Sequence, residues 1–181
     1  MHVVDGVRGV AQLGDIMYVV YRESSVIDMF TADTLSPLGK RIHVEGMRDP
    51  EDIVACRHDR QLYVADRDYC IWRVSADDHS YVKWLPTEST TDTFRVYKLS
   101  LVLQHLLVTS NPPGLRQYST TDRQLLCYIL LPSYIKRLYH AVETTRQTFV
   151  VGHTVTSQHM MQYAVSELKC LDSVMYFVSQ K

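Results

Sequence analysis

Four short apolar words echo along this chain at nearly constant spacing: MYVV at 17–20, LYVA at 62–65, LLVT at 106–109 and FVVG at 149–152, set 45, 44 and 43 residues apart. Each is followed by a polar loop and a second strand-like segment: VIDMFTAD (26–33), CIWRVSAD (70–77), GLRQYSTTD (114–122) and MMQYAVSE (160–167). Three of these end in Asp and one in Glu. A unit this small cannot bury both of its apolar faces alone, so the four copies must stack and be stabilised by their neighbours.

Within each unit the runs are short, rich in Val, Ile, Tyr, Phe and Thr, and punctuated by Asp, Gly, Ser and Pro, which is the chemistry of strands and turns. In the second unit strands are expected at Ile53–Cys56, Gln61–Ala65, Cys70–Ser75 and Tyr81–Leu85, the last matched by RIHV (41–44), CYILL (127–131) and VMYFV (174–178). A period in the forties with four strands per repeat predicts an all-β, β-propeller-like fold: four blades of four antiparallel strands, either a small ring or an open arc of a larger propeller. The length of 181 residues and the 46% apolar content suit a single domain, 1–181, with blades at approximately 5–48, 49–89, 90–135 and 136–181. MHVVDGVRGVAQL at the start parallels IHVEGMRDPEDIV from 42, so residues 1–4 read as an extra outer strand.

The second strand of every unit is apolar on both sides, as expected where a sheet is covered on both faces. A charge at Val64 or Val150 is therefore expected to be far worse than one at Asp77. The recurring acid after the third strand reads first as a hairpin device, a carboxylate accepting backbone N–H groups in a tight turn.

A formal net charge of -1 implies no broad phosphate-binding surface, which argues against nucleic acid. The N-terminal residues lack a charged and apolar leader, and no run is long and apolar enough to span a bilayer, so no membrane partner and a cytoplasmic location are expected. Cys56, Cys70, Cys127 and Cys170 form no CxxC pair and are read as buried free thiols rather than a zinc knuckle or redox motif.

The wording DPEDIVACRHDRQLYVADRDYCIWRVS at 49–75 resembles the NHL and related YVTN-type propeller repeats, which run from a Pro-containing turn through an apolar strand and an lYVaD strand to an I-x-V strand. The other units keep the spacing and lose the words: Tyr21, Ser110 and His153 stand where the second unit has Asp66. The resemblance implies a propeller, a fold that hosts ligase substrate recognition, RNA binding, receptor ectodomains and some enzymes, so it does not choose a function.

In a propeller the turns leading into the first strands lie near the axis, where ligands and peptides meet the ring. This puts Arg8, Arg48, Asp49, Asp52, Arg95 and Arg137 forward as partner-binding residues, mixed charges able to anchor the polar groups of a peptide. No catalytic, cofactor-binding or metal residues are assigned. One asparagine, Asn111, and the lone first-strand histidine, His140, do not assemble a channel metal site, and HTVTSQH (153–159) separates its two histidines by a loop. No G-x-S-x-G elbow occurs.

The chain is therefore expected to be a noncatalytic protein- or peptide-binding scaffold without a cofactor, able to self-associate through open blade faces if it forms an arc. Two alternatives are a hydrolase or lyase propeller with a channel metal, and an RNA-binding NHL-like module using Tyr63, Tyr97 and Tyr139 as stacking rings.

Overall fold

The computed structural model of the chain describes residues 6–67, 70–86, 94–131, 135–145, 148–156, 161–171 and 174–178. The proposed outer strand at 1–4 lies outside the described residues. Every described element is a β-strand or a turn, and the strands make four four-stranded antiparallel sheets, each a simple meander of consecutive strands. The first sheet is β1 (Val7–Leu13), β2 (Ile16–Tyr21), β3 (Val26–Thr31) and β4 (Pro37–His43); the second is β5 (Pro50–Cys56), β6 (Gln61–Asp66), β7 (Cys70–Ser75) and β8 (Tyr81–Leu85). The third comprises β9 (Arg95–Val102), β10 (His105–Asn111), β11 (Gly114–Ser119) and β12 (Leu125–Leu130), and the fourth β13 (Ile135–Thr145), β14 (Thr148–Thr156), β15 (Met161–Leu171) and β16 (Val174–Val178). The four strands between Pro50 and Leu85 thus make one continuous antiparallel sheet, with β7 and β8 at the bounds the sequence predicts.

Two compact units divide the chain, Met1–Tyr97 and Lys98–Lys181. Strand alternation sends one face of each sheet into a shared core. In the first unit Tyr18, Val20, Ile27, Met29 and Ile42 from one sheet meet Ile53, Leu62, Val64, Trp72 and Val74 from the other. In the second unit Leu107, Leu115, Cys127 and Ile129 meet Leu138, Ala141, Phe149 and Val151. Burial of this kind contributes about 25 cal/mol per Å² of apolar surface removed from water, and it is the term that holds one sheet to the next. Val64 is fully buried, as its place in the word LYVA demands. Val150 is not: β14 turns Phe149 and Val151 into the core and leaves Val150 half-buried on the other side, so the severity expected for a charge there is corrected downward.

The first strands of the first unit approach closely. A Cβ added at Gly9 would lie 2.7 Å from the Ile53 backbone nitrogen and 3.0 Å from the Asp52 Cα, so β1 has backbone-to-backbone contact with β5 that any side chain would block. Both strands carry a bulge at the corresponding place, between Val7 and Gly9 and between Pro50 and Asp52. Each bulge leaves one residue out of register, Arg8 in β1 and Glu51 in β5, and bends the strand where it enters the sheet.

The hairpins between third and fourth strands repeat with the period of the sequence. Leu35, His79 and Arg123, each 44 residues apart, take φ of +55°, +60° and +64°, a left-handed geometry that non-glycine residues enter at a cost. The turns are held by side chains. The Ser75 hydroxyl accepts the N–H groups of Asp77 and Asp78, and the Ser119 hydroxyl those of Thr121 and Asp122, at 3.3 to 3.5 Å. Asp78 then accepts the Ser80 N–H at 3.1 Å, and Asp122 the Gln124 N–H at 3.2 Å. The recurring acid is therefore a turn device, with one refinement: in the second sheet the acid that closes the turn is Asp78, while Asp77 pairs with Arg60 at 2.6 Å. Hydrogen bonds from Ser75 and Ser80 hold the Asp78 carboxyl at about 2, below the usual carboxylate range. The corresponding Glu167 side chain lies outside the described residues.

Cys56 and Cys70 are buried free thiols, as expected, whereas Cys127 is disulfide-bonded. Sequence spacing could not show this bond, because sulfurs far apart in the chain are brought together only by folding. Gly9→Ala tests the approach of β1 to β5: the added methyl should destabilise the chain by about 1–3 kcal/mol in denaturant unfolding. An unchanged midpoint would show that the two backbones part without cost.

Candidate functional site

At the entry to the second sheet a short turn, Arg48-Asp49-Pro50, is tied down by one carboxylate. Asp66, fully buried at the end of β6, accepts the Arg48 N–H at 3.0 Å, the Asp49 N–H at 3.1 Å and the Trp72 indole N–H at 3.1 Å. A buried carboxylate is tolerated only when donors replace its hydration, and these three do so. The turn requires such an acceptor because the Arg48 and Asp49 N–H groups lie ahead of β5 and outside its ladder. The indole lies under the preceding loop: Gly46, at φ +90°, is packed so that an added Cβ would sit 3.3 Å from the Trp72 ring.

With the turn fixed, four charged side chains converge. Arg67 contacts Asp49 at 3.4 Å and Glu51 at 3.5 Å, and Arg8 contacts Glu51 at 3.7 Å. Asp49 also accepts the Glu23 N–H at 3.3 Å, joining the β2–β3 loop to the second sheet. The carboxylates are mostly buried, with side-chain exposures of 12% for Glu51 and 19% for Asp49, whereas Arg8 and Arg67 remain about one-third exposed at 32% and 34%. The β1 and β5 bulges make the cluster: each out-of-register residue points where a ladder residue could not, and Arg8 and Glu51 meet across the sheets. Ion pairs this exposed and this long contribute about 0–1 kcal/mol each, so they do not hold the fold together. What they provide is a pre-formed patch of two guanidinium groups over two carboxylates, matched to a ligand carrying both signs of charge.

Of the predicted residues, Arg8 and Asp49 belong to this cluster through their side chains, Arg48 lends its backbone N–H, and the Asp52 backbone meets Gly9. Arg95 opens β9, 44 residues on from Glu51, and is half-buried. Arg137 pairs through its backbone with Thr154 in β14, and its side chain lies outside the described residues. Sequence reading missed Arg67 and Glu51. Both flank motif positions, Glu51 following the turn proline and Arg67 following the strand-ending Asp66, and only the bulge and the turn bring them together.

The substitutions at the Asp66 position also acquire a meaning. In the third sheet Ser110 and Arg116 stand 44 residues on from Asp66 and Trp72, and the Arg116 guanidinium donates to the Ser110 hydroxyl at 2.5 Å. The same cross-hairpin tie is thus made with donor and acceptor types changed. In the first sheet Tyr21 and Asp28 stand at these positions, and Asp28 pairs instead with Arg41 at 2.9 Å. His153, at the Asp66 position of the fourth unit, lies within β14 and is buried, and burial pushes its pKa below the ordinary histidine value. His159, the second histidine of HTVTSQH, lies outside the described residues. Tyr63 is fully buried against Trp84, with ring centroids 5.1 Å apart, and so is a core residue rather than a stacking platform.

Asp66→Ala leaves three donors without their acceptor and should cost about 2–5 kcal/mol in denaturant unfolding. Equal stability would mean that solvent replaces the carboxylate. His153 sets a pH dependence: its folded pKa is depressed, so the unfolded chain binds the proton first. The stability it confers is complete above the unfolded value of about 6.5 and is lost as pH falls through the folded pKa. Thermal melts between pH 7.5 and 5 should therefore fall more steeply for the native chain than for His153→Gln, whatever their absolute levels. Parallel slopes would remove histidine burial as the cause.

No protein-family profile matches the chain, and no curated protein matches it in sequence. Solved structures do match. The computationally designed Ika4 protein superposes with a TM-score of 0.64 at 10% identity, over 89% of this chain and 90% of that one. The β-propeller domain of Myceliophteria thermophila Cps50 (Swd1) gives 0.62 at 8% identity, over 89% of this chain and 57% of that one. U3-55K gives 0.65 at 10% identity, over 92% and 53%. The chain thus spans little more than half the length of the last two. At such identities the likeness carries the fold alone, and the fold is β-propeller-like.

Proposed function

We propose that this chain is a noncatalytic scaffold of NHL-like propeller repeats that binds a protein or peptide partner in the cytoplasm. The patch formed by Arg8, Glu51, Arg67 and Asp49 carries the reading. Its carboxylates are seated in turns and its guanidinium groups are held about 3.4 to 3.7 Å from them, partly open to solvent. A ligand carboxylate can displace such loose contacts and gain shorter bidentate bonds, while backbone N–H groups of the ligand find Glu51 and Asp49. The chemistry is recognition of polar main-chain and side-chain groups, with no nucleophile or base asked to act. The propeller-like fold supports the reading because it sets entry turns of neighbouring sheets side by side on rigid strands. Among the described residues no helix is long and apolar enough to cross a membrane.

A displayed peptide library selected against the purified chain provides the test. Peptides with an acidic residue or free carboxylate should enrich, and the Arg8→Ala, Arg67→Ala double variant should weaken them at least ~10-fold while its melting temperature stays close to native. Recovery of no peptide, or of peptides that bind the double variant equally well, would exclude this patch as the recognition surface.

A further inference from the structure

The loop between β2 and β3, residues 22–25, borders the charged patch and is anchored at every residue. The Arg22 N–H donates to the Gly6 carbonyl at 3.1 Å, and the Glu23 N–H to the Asp49 carboxylate at 3.3 Å. The Ser24 hydroxyl accepts the Val26 N–H at 3.1 Å, and the Ser25 carbonyl accepts the Val44 N–H at 2.9 Å. A loop held in this way has little freedom left to lose on binding.

Glu23 takes the least comfortable conformation in it, with φ at +53°. The other left-handed non-glycine residues among those described sit in hairpin turns that recur with the repeat: Leu35, His79 and Arg123 between third and fourth strands, Arg60 and Leu103 between first and second. The angle at Glu23 is not a repeat feature, because its counterpart in the third unit is Pro112, whose ring forbids a positive φ. What holds Glu23 there is Asp49, a member of the patch. A residue kept in a costly geometry by a binding-site side chain points to a use for its own side chain.

That side chain is a carboxylate, 71% exposed, whose contact is Arg22 at 3.1 Å. An exposed pair between chain neighbours contributes little and exchanges readily. Glu51 and Asp49, by contrast, are seated at 12% and 19% exposure and already shared with guanidinium groups. From solvent the surface therefore presents the guanidinium groups of Arg8 and Arg67 with the open carboxylate of Glu23 beside them. Asp49 touches both Arg67 and the Glu23 N–H, so the cationic and anionic points stand one carboxylate apart.

We infer that Glu23 is a specificity residue of this patch, selecting partner segments in which the acid docked on Arg8 and Arg67 has a lysine or arginine next to it or next but one. The inference rests on the patch being the recognition surface and adds the charge pattern that it reads.

Parallel selections from a random displayed peptide library, on the native chain and on Glu23→Lys, test it. The native chain should enrich an acid with a basic near neighbour; Glu23→Lys should keep the acid and replace the base with a second acid. In solution, changing the lysine of an enriched peptide to glutamine should weaken it at least ~3-fold on the native chain, not measurably on Glu23→Gln, and by a larger factor on Arg22→Ala, which frees the carboxylate. The glutamine peptide itself should bind the native chain and Glu23→Gln equally. Acid-bearing peptides without a basic neighbour, or the same sequences from both selections, would overturn the inference and leave the patch standing. Weaker binding of the glutamine peptide to Glu23→Gln would overturn it too, since Glu23 would then act by shaping the loop. Recovery of no peptide, or of peptides indifferent to the Arg8→Ala, Arg67→Ala double variant, would overturn it together with the patch.

Discussion

Each four-stranded sheet has two faces to keep from water and only one thickness of backbone to do it with, so everything else in the structure follows from sheets packing face to face. The core shared by the first two sheets requires their first strands to close almost to backbone contact, and Gly9 over Ile53 is where that requirement is met. The close approach explains why the ladder is bulged just before it. A strand that must bend as it enters the sheet releases one residue from register, and in β1 and β5 those residues are Arg8 and Glu51.

The charged patch is therefore a consequence of packing rather than an addition to it. Carboxylates that would be costly to bury alone are seated against turn N–H groups and guanidinium groups, and the turn beneath them is set by Asp66 and Trp72. The ion pairs contribute little to stability, which leaves them available for exchange with a ligand. The stability comes from the apolar faces below, where single residues such as Val64, Leu62 and Ile71 are fully buried.

The repeats differ most where they meet solvent or each other's loops. The Asp66–Trp72 tie becomes Ser110–Arg116 in the third sheet and gives way to Tyr21 and Asp28 in the first, where Asp28 pairs with Arg41. Such drift keeps the geometry of a hairpin while altering its surface, and it places a buried cation behind Tyr128 in the third sheet alone among the three described pairs.

The amino-acid sequence by itself determined the four-sheet plan, because strand periodicity and turn chemistry are local and recur every 43 to 45 residues. It also determined the role of the turn acids and the position of Val64, since both depend on neighbours close along the chain. The tertiary structure alone decided the charged patch, because bulges shift register by one residue and no periodicity announces where they fall. The same is true of Val150, which its apolar neighbours made look buried. The disulfide at Cys127 belongs with them: whether two sulfurs meet depends on how distant strands are brought together, which no local pattern records.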